Sequence, residues 1–143
     1  MIIKFLPIIL VVIFPPLALA QPTSLTSLAI TTNSGTKIFS VQIADTSKVK
    51  EKGLMFVKKM PDNHGMLFTY DTERITNMWM KNTYISLDML FINGNKEIVK
   101  IVKNTIPHSE EIISSSSKVR YILEINGGMS DKLNIKIGDK VRF

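Results

Sequence analysis

The chain has 143 residues and no cysteine. That absence excludes disulfides, a thiolate nucleophile and a zinc–thiolate centre. Histidine is scarce, with only His64 and His108 available as imidazole bases or ligands. No P-loop, no GxSxG nucleophile elbow and no GxGxxG dinucleotide loop occurs, so the common nucleotide and hydrolase signatures are missing. A single tryptophan, Trp79, stands in the chain. Acidic residues are outnumbered, 12 against 18 lysines and arginines, for a net charge of +6. A basic balance favours anionic partners, although a lysine-rich face is more often simply solvated.

Residues 1–20 read as a secretory leader. Lys4 is followed by an apolar run over 5–14, then by Pro15 and Pro16, then by Ala18-Leu19-Ala20, a small-x-small cleavage pattern. The stretch between Lys4 and Gln21 is shorter than the ~20 residues of a bilayer span. Cleavage after Ala20, periplasmic or secreted localisation and no stable membrane span thereafter are the expectations. A polar lead-in over 21–27 would precede one β-rich domain over 28–143. A domain of this size buries about two-thirds of its unfolded surface and folds without covalent staples.

Short apolar runs recur every 8–12 residues through that domain, which predicts a mainly β fold: an antiparallel sandwich or half-open barrel with one or two short helices. Residues 28–32 and 37–44 predict two strands around an Asn33-Ser34-Gly35 turn, the second alternating cleanly. Asp45, Thr46 and Ser47 offer caps for a short helix over 48–56, with Val49, Gly53 and Phe56 on one face and Lys48, Lys52 and Lys59 on the other. Further strands are predicted over 66–70, 76–82, 87–92, 97–103, 120–125 and 140–143. Asn93-Gly94 marks a hairpin turn, Ser114–Ser117 a polar mobile loop and Ser130–Leu133 a turn of helix.

The segment Met78-Trp79-Met80-Lys81-Asn82-Thr83 carries the most distinctive side chains. As a strand paired with 87–92 across a four-residue loop, it sets Lys81 opposite Asp88 and Met80 opposite Met89. Met78, Met80, Leu87, Met89 and Phe91 then share a core face. Trp79, Lys81 and Asp88 share the other. That second face would hold a small polar or carbohydrate-like ligand, with Trp79 as a stacking platform and Lys81, Asn82 and Asp88 as polar contacts. Glu124 is a further candidate contact.

These segments also carry a resemblance. Lys52-Gly53-Leu54-Met55, Gly65-Met66-Leu67-Phe68, Trp79-Met80-Lys81-Asn82-Thr83, Leu87-Asp88, Phe91-Ile92, Tyr121-Ile122-Leu123-Glu124 and Gly138-Asp139 together resemble the bacterial and archaeal family known as domain of unknown function 192. The match runs from about residue 28 to the last residue. The resemblance implies a mainly β, often exported domain with no established activity. The family pattern usually has arginine at the place of Lys52 and an aromatic at that of Met78, and lysine lacks the planar fork of arginine.

Four functional classes are open. A non-catalytic binding or accessory module for an envelope ligand leads. A Cu(I) carrier would use thioether sulfur from Met66, Met78 and Met80 with His64, although methionine at strand spacing is more often packing. A hydrolase would need Asp88 and Glu124 as a carboxylate pair ~5–9 Å apart. An interaction domain would use the basic helix face. His108-Ser109-Glu110-Glu111 fits a solvated loop better than a metal site. No cofactor and no nucleic-acid partner is expected; the partner would be a small polar ligand or an anionic envelope component.

Overall fold

The computed structural model of the protein describes residues 24–143. The leader over 1–20 and the first part of the lead-in lie outside the described residues. In chain order the elements are β1 (Thr26–Thr32), β2 (Gly35–Ala44), α1 (Ser47–Lys52), β3 (His64–Arg74), β4 (Asn77–Met78), β5 (Leu87–Ile92), β6 (Ile98–Val102), β7 (Ile113–Ser114), β8 (Val119–Asn126), α2 (Met129–Lys132) and β9 (Lys140–Arg142). Seven strands form one curled half-barrel sheet in the order β6-β5-β8-β3-β2-β1-β9, and β4 and β7 form a separate two-stranded ladder. Among the described residues no helix is long and apolar enough to cross a membrane.

The β1–β2 hairpin turns where the sequence predicts, with Thr32 opposite Gly35. Gly35 adopts φ +102, a conformation that an L side chain rarely enters. One ladder departs from the antiparallel expectation: β2 and β3 run parallel, Gln42 opposite Met66. Parallel neighbours need a long crossover, and residues 45–63, including α1, supply it. Thr46 caps α1 by accepting from the Val49 N–H. The helix stops at Gly53, at φ +48, rather than running on to residue 56. Gly53 also sits against Phe68, where an added Cβ would lie 3.2 Å from the ring. The predicted Val49/Gly53/Phe56 face is therefore not a buried helix face. Leu54 is buried instead, while Val49 and Phe56 are exposed.

Apolar side chains leave both faces of the sheet. Leu28, Phe39, Leu67, Leu90, Leu123 and Ile125 belong to the inner cluster. Met66, Phe68, Met89, Phe91 and Ile122 belong to an outer cluster, together with Leu54 from the crossover and Met80. Coverage on both faces explains why all six residues of β5 are buried and why its sequence does not alternate. Each large side chain so buried contributes roughly 1.5–3 kcal/mol.

The two edges of the curled sheet meet at one end. Glu97 and Lys140 form an antiparallel bridge. The Ile98 N–H donates to the Asp139 carbonyl (3.0 Å), the Gly138 N–H to the Ile98 carbonyl (2.8 Å) and the Val141 N–H to the Lys96 carbonyl (2.9 Å). A Lys140–Glu97 ion pair at 2.6 Å lies on the same seam.

Candidate functional site

Residues 76–82 do not form the predicted strand, and they do not pair with β5. Only Asn77 and Met78 are extended, and their partners are Ser114 and Ile113 of β7. Ser115 anchors this ladder: its side chain accepts from the Thr76 N–H and donates to the Ser117 carbonyl, and it is buried rather than part of a mobile loop. Beyond Met78 the chain turns. The Thr83 N–H donates to the Met80 carbonyl, and Asn82 takes φ +52, which asparagine tolerates better than most residues. The place beside β5 is filled by β8, with Met89 opposite Glu124.

Lys81 and Asp88 are consequently apart. Lys81 pairs at 3.5 Å with Glu110 and lies 5.1 Å from the centre of the Trp79 ring. Both members of the ion pair are well exposed, so it contributes little to stability. Asp88 is fully buried and works as a backbone staple. Its Oδ1 accepts from the N–H groups of Asn104 (2.8 Å) and Gly128 (3.0 Å), and its Oδ2 from that of Ser130 (2.8 Å). These bonds fix the loop after β6 and the start of α2. The carbonyl of Asn82 accepts from the Phe56 N–H at 2.9 Å, tying the crossover to the turn. The predicted grouping of Met80, Leu87, Met89 and Phe91, with Met78 packed against them, does occur in the outer cluster, although a turn and not a hairpin delivers it.

The register also separates the two carboxylates of the hydrolase reading. Asp88 is opposite Ile125, one residue from Glu124, so the two side chains project to opposite faces of the sheet. Met66 and Met80, two sulfurs of the copper reading, are buried as packing in the outer cluster. Among the described residues no group of three or more histidine, aspartate or glutamate side chains is placed to hold a metal ion. His108 lies beside Tyr84, with ring centres 5.1 Å apart.

A cavity of about 360 Å³ opens between the crossover, the Trp79 turn and the outer face of the sheet. Its deep lining includes Glu124, Phe68, Leu54 and Thr83, all buried. Trp79 (43 % exposed), Tyr70 and Met78 form walls, and Lys50, Glu51 and Lys52 belong to the rim. Trp79 and Glu124 are thus the two sequence candidates that meet here; Lys81, Asn82 and Asp88 are not in the lining.

Glu124 is the unusual group. It is 4 % exposed, on the interior strand β8, with Met66 of β3 opposite on one side and Met89 of β5 on the other. Burial pushes its carboxyl up to about 8, and no hydrogen bond or ion pair to another described residue offsets that burial. The group is therefore largely a neutral acid at pH 7. The signal in the sequence is a glutamate interrupting the apolar run Tyr121-Ile122-Leu123-Glu124-Ile125, and glutamate is almost never fully buried without a partner; the structure puts it on the outer-cluster face, in step with Ile122. Tyr70 escaped sequence reasoning. Burial raises its hydroxyl as well, with the Glu124 carboxyl adding to that, while polar contact with the Thr76 side chain and the positive charge of Arg74 pull it the other way. Lys50 Nζ lies 4.7 Å from the Tyr70 ring centre.

The sheet and the cavity define the protein as a curled half-barrel β domain with a carboxyl at the floor of a small aromatic-walled pocket. The chain belongs to the domain of unknown function 192 family, described as "Uncharacterized ACR", whose model matches residues 29–143. A crystal structure of a Sinorhizobium meliloti 1021 protein, designated a candidate transcription regulator, is 42% identical, covers 81% of this chain and 91% of its own, and superposes with a TM-score of 0.79. A protein of unknown function from Novosphingobium aromaticivorans DSM 12444 is 34% identical, with 88% of this chain and 94% of that chain covered and a TM-score of 0.83. A UPF0127 protein of Thermococcus sibiricus is 29% identical over 103 residues, which are 71% of this chain and 64% of the relative, so the chain spans less than two-thirds of that relative's length.

Proposed function

We propose that the protein is an exported, non-catalytic binding module whose cavity takes a small polar ligand of the cell envelope. The observation that carries this reading is the buried Glu124 carboxyl, unpartnered among the described residues, on the floor of an aromatic-walled pocket. No described residue uses its hydrogen-bonding capacity, so a ligand that hydrogen-bonds to it gains a contact that a purely apolar ligand cannot make. Trp79 supplies an apolar wall that suits a ring or a methylene face. Catalysis is not favoured, because the second carboxylate that hydrolysis would use lies across the sheet. Export rests on the leader pattern of residues 1–20.

Trp79 is the only tryptophan and lines this cavity, so its fluorescence is a built-in probe of occupancy. Titration of the purified protein with wall fragments, simple glycans and small polar metabolites should give a saturable emission change for at least one class. Calorimetry should reproduce the affinity, and Glu124→Gln should weaken it. Absence of saturable binding across all classes would overturn the reading.

A further inference from the structure

The cavity is electrically two-ended. Its deep end holds Glu124, and the Tyr70 hydroxyl on the adjoining wall, itself raised by burial, stays neutral across the pH range in which Glu124 titrates. Its rim holds Lys50 and Lys52, with Glu51 between them offsetting one of the two positive charges. Phe68, Tyr70 and Trp79 contribute three aromatic rings to one small volume. Aromatic faces attract cations, and Tyr70 already does so here, with Lys50 Nζ at 4.7 Å and the Arg74 guanidinium at 5.8 Å from its ring centre.

Each simple ligand charge satisfies only one end. A small anion is drawn to the lysines but meets a carboxyl and aromatic rings below. A simple amine suits the carboxyl and the rings but must pass two lysines. A neutral polyol uses neither charge. Resting on the binding reading above, we infer that the ligand is a small zwitterion, entering with a primary ammonium toward Glu124 and leaving a phosphate or carboxylate at Lys50 and Lys52. The ammonium makes ionisation of Glu124 favourable, so binding expels the carboxyl's proton to solvent. One proton leaves and one ion pair forms, with no other bond changed.

The probe is phosphoethanolamine, measured by calorimetry with the full protein between pH 6 and pH 9. Ethanolamine lacks the anion and glycerol-3-phosphate lacks the ammonium. Expected is saturable binding of phosphoethanolamine at least about tenfold tighter than either half-ligand. Its affinity should rise by up to about tenfold per pH unit up to the Glu124 transition and flatten above it. Heats in buffers of different ionisation enthalpy should show nearly one proton released at pH 7. Glu124→Gln, close in shape to the acid, should abolish both the proton release and the pH slope. Lys52→Ser lies on the exposed rim and should weaken phosphoethanolamine while leaving ethanolamine unchanged or improved. Phosphatidylethanolamine vesicles that co-sediment with the protein, and release it to free phosphoethanolamine, would assign the group to a lipid headgroup; binding of the soluble probe without co-sedimentation would assign it to a free solute.

Equal affinity for a half-ligand, affinity that falls as pH rises, or an unaltered Glu124→Gln variant would each overturn the inference. Saturable binding of a neutral glycan with none of phosphoethanolamine would overturn it too, yet leave the binding module standing. Silence toward every probe would remove both.

Discussion

Replacing Glu124 by glutamine isolates the energetic effect of burying an ionisable group in the outer cluster. The carboxyl titrates near 4.5 in an unfolded chain and at about 8 in the folded protein. Between those values the folded state holds a proton that the unfolded state has released. Stability therefore falls as pH rises through this window. It is highest below pH 4.5 and the decline ends above pH 8. At about 1.4 kcal/mol per unit of difference, the loss amounts to roughly 2–3 kcal/mol between pH 5 and 7 and about 4 kcal/mol by pH 9. Glutamine keeps the size and hydrogen-bonding groups but cannot ionise. The Glu124→Gln variant should match the wild type within about 1 kcal/mol at pH 5 and exceed it by several kcal/mol at pH 9. Urea unfolding at pH 5, 7 and 9 measures this directly. Because every other titrating group is common to both proteins, only the difference between the two curves matters. A wild-type-minus-variant difference that stays flat from pH 5 to 9 would refute the claim that Glu124 is buried as a neutral acid.

The remaining expectations concern the frame around the cavity and the leader. Asp88→Ala strands three backbone N–H groups and should cost about 3–5 kcal/mol, read as a lower urea midpoint; a loss under 1 kcal/mol would remove its role as a staple. Gly53→Ala places a Cβ at positive φ and 3.2 Å from Phe68, so a destabilisation of about 1–3 kcal/mol is expected, with Trp79 emission shifted if the crossover moves. Lys81→Met removes only an exposed ion pair and a ring contact and should change the unfolding free energy by less than about 1 kcal/mol; a larger loss would show that Lys81 holds the Trp79 turn. Expression in an envelope-bearing bacterial host should yield protein whose intact mass begins at Gln21, and an uncleaved chain in the cytoplasm would contradict export.

Local chemistry made much of the fold readable. The Asn33-Ser34-Gly35 turn, the Thr46 cap and the strand over 87–92 all depend on neighbours in sequence, and all stand where expected. What failed was non-local. No feature of residues 87–92 announces that their partner is β8, 29 to 39 positions away, instead of the nearby tryptophan segment. The left-handed Asn82 was the available hint that 79–83 would turn. Asp88 was misread for a similar reason. Its partners are main-chain N–H groups of residues 104, 128 and 130, which have no side-chain signature. Within the candidate site Trp79 stood out by rarity, while Glu124 was only a secondary candidate because its partner strands were not legible. Lys50 and Tyr70 did not stand out, since a helix lysine and a strand tyrosine look ordinary until the parallel crossover brings them together.

The seam at Glu97 and Lys140 has a bearing on how the protein behaves in a crowd. An open seven-stranded sheet would present two unpaired borders, each a template on which another chain could grow by strand addition. Here β6 and β9 spend part of their free hydrogen-bonding groups on each other through Lys96, Ile98, Gly138, Asp139 and Val141. The curl thus acts as a guard against self-association as well as a way to enclose the inner cluster. A chain that lost β9 would retain most of its apolar interior but would expose the borders of β1 and β6 together, and concentration-dependent aggregation rather than simple unfolding would be its characteristic defect.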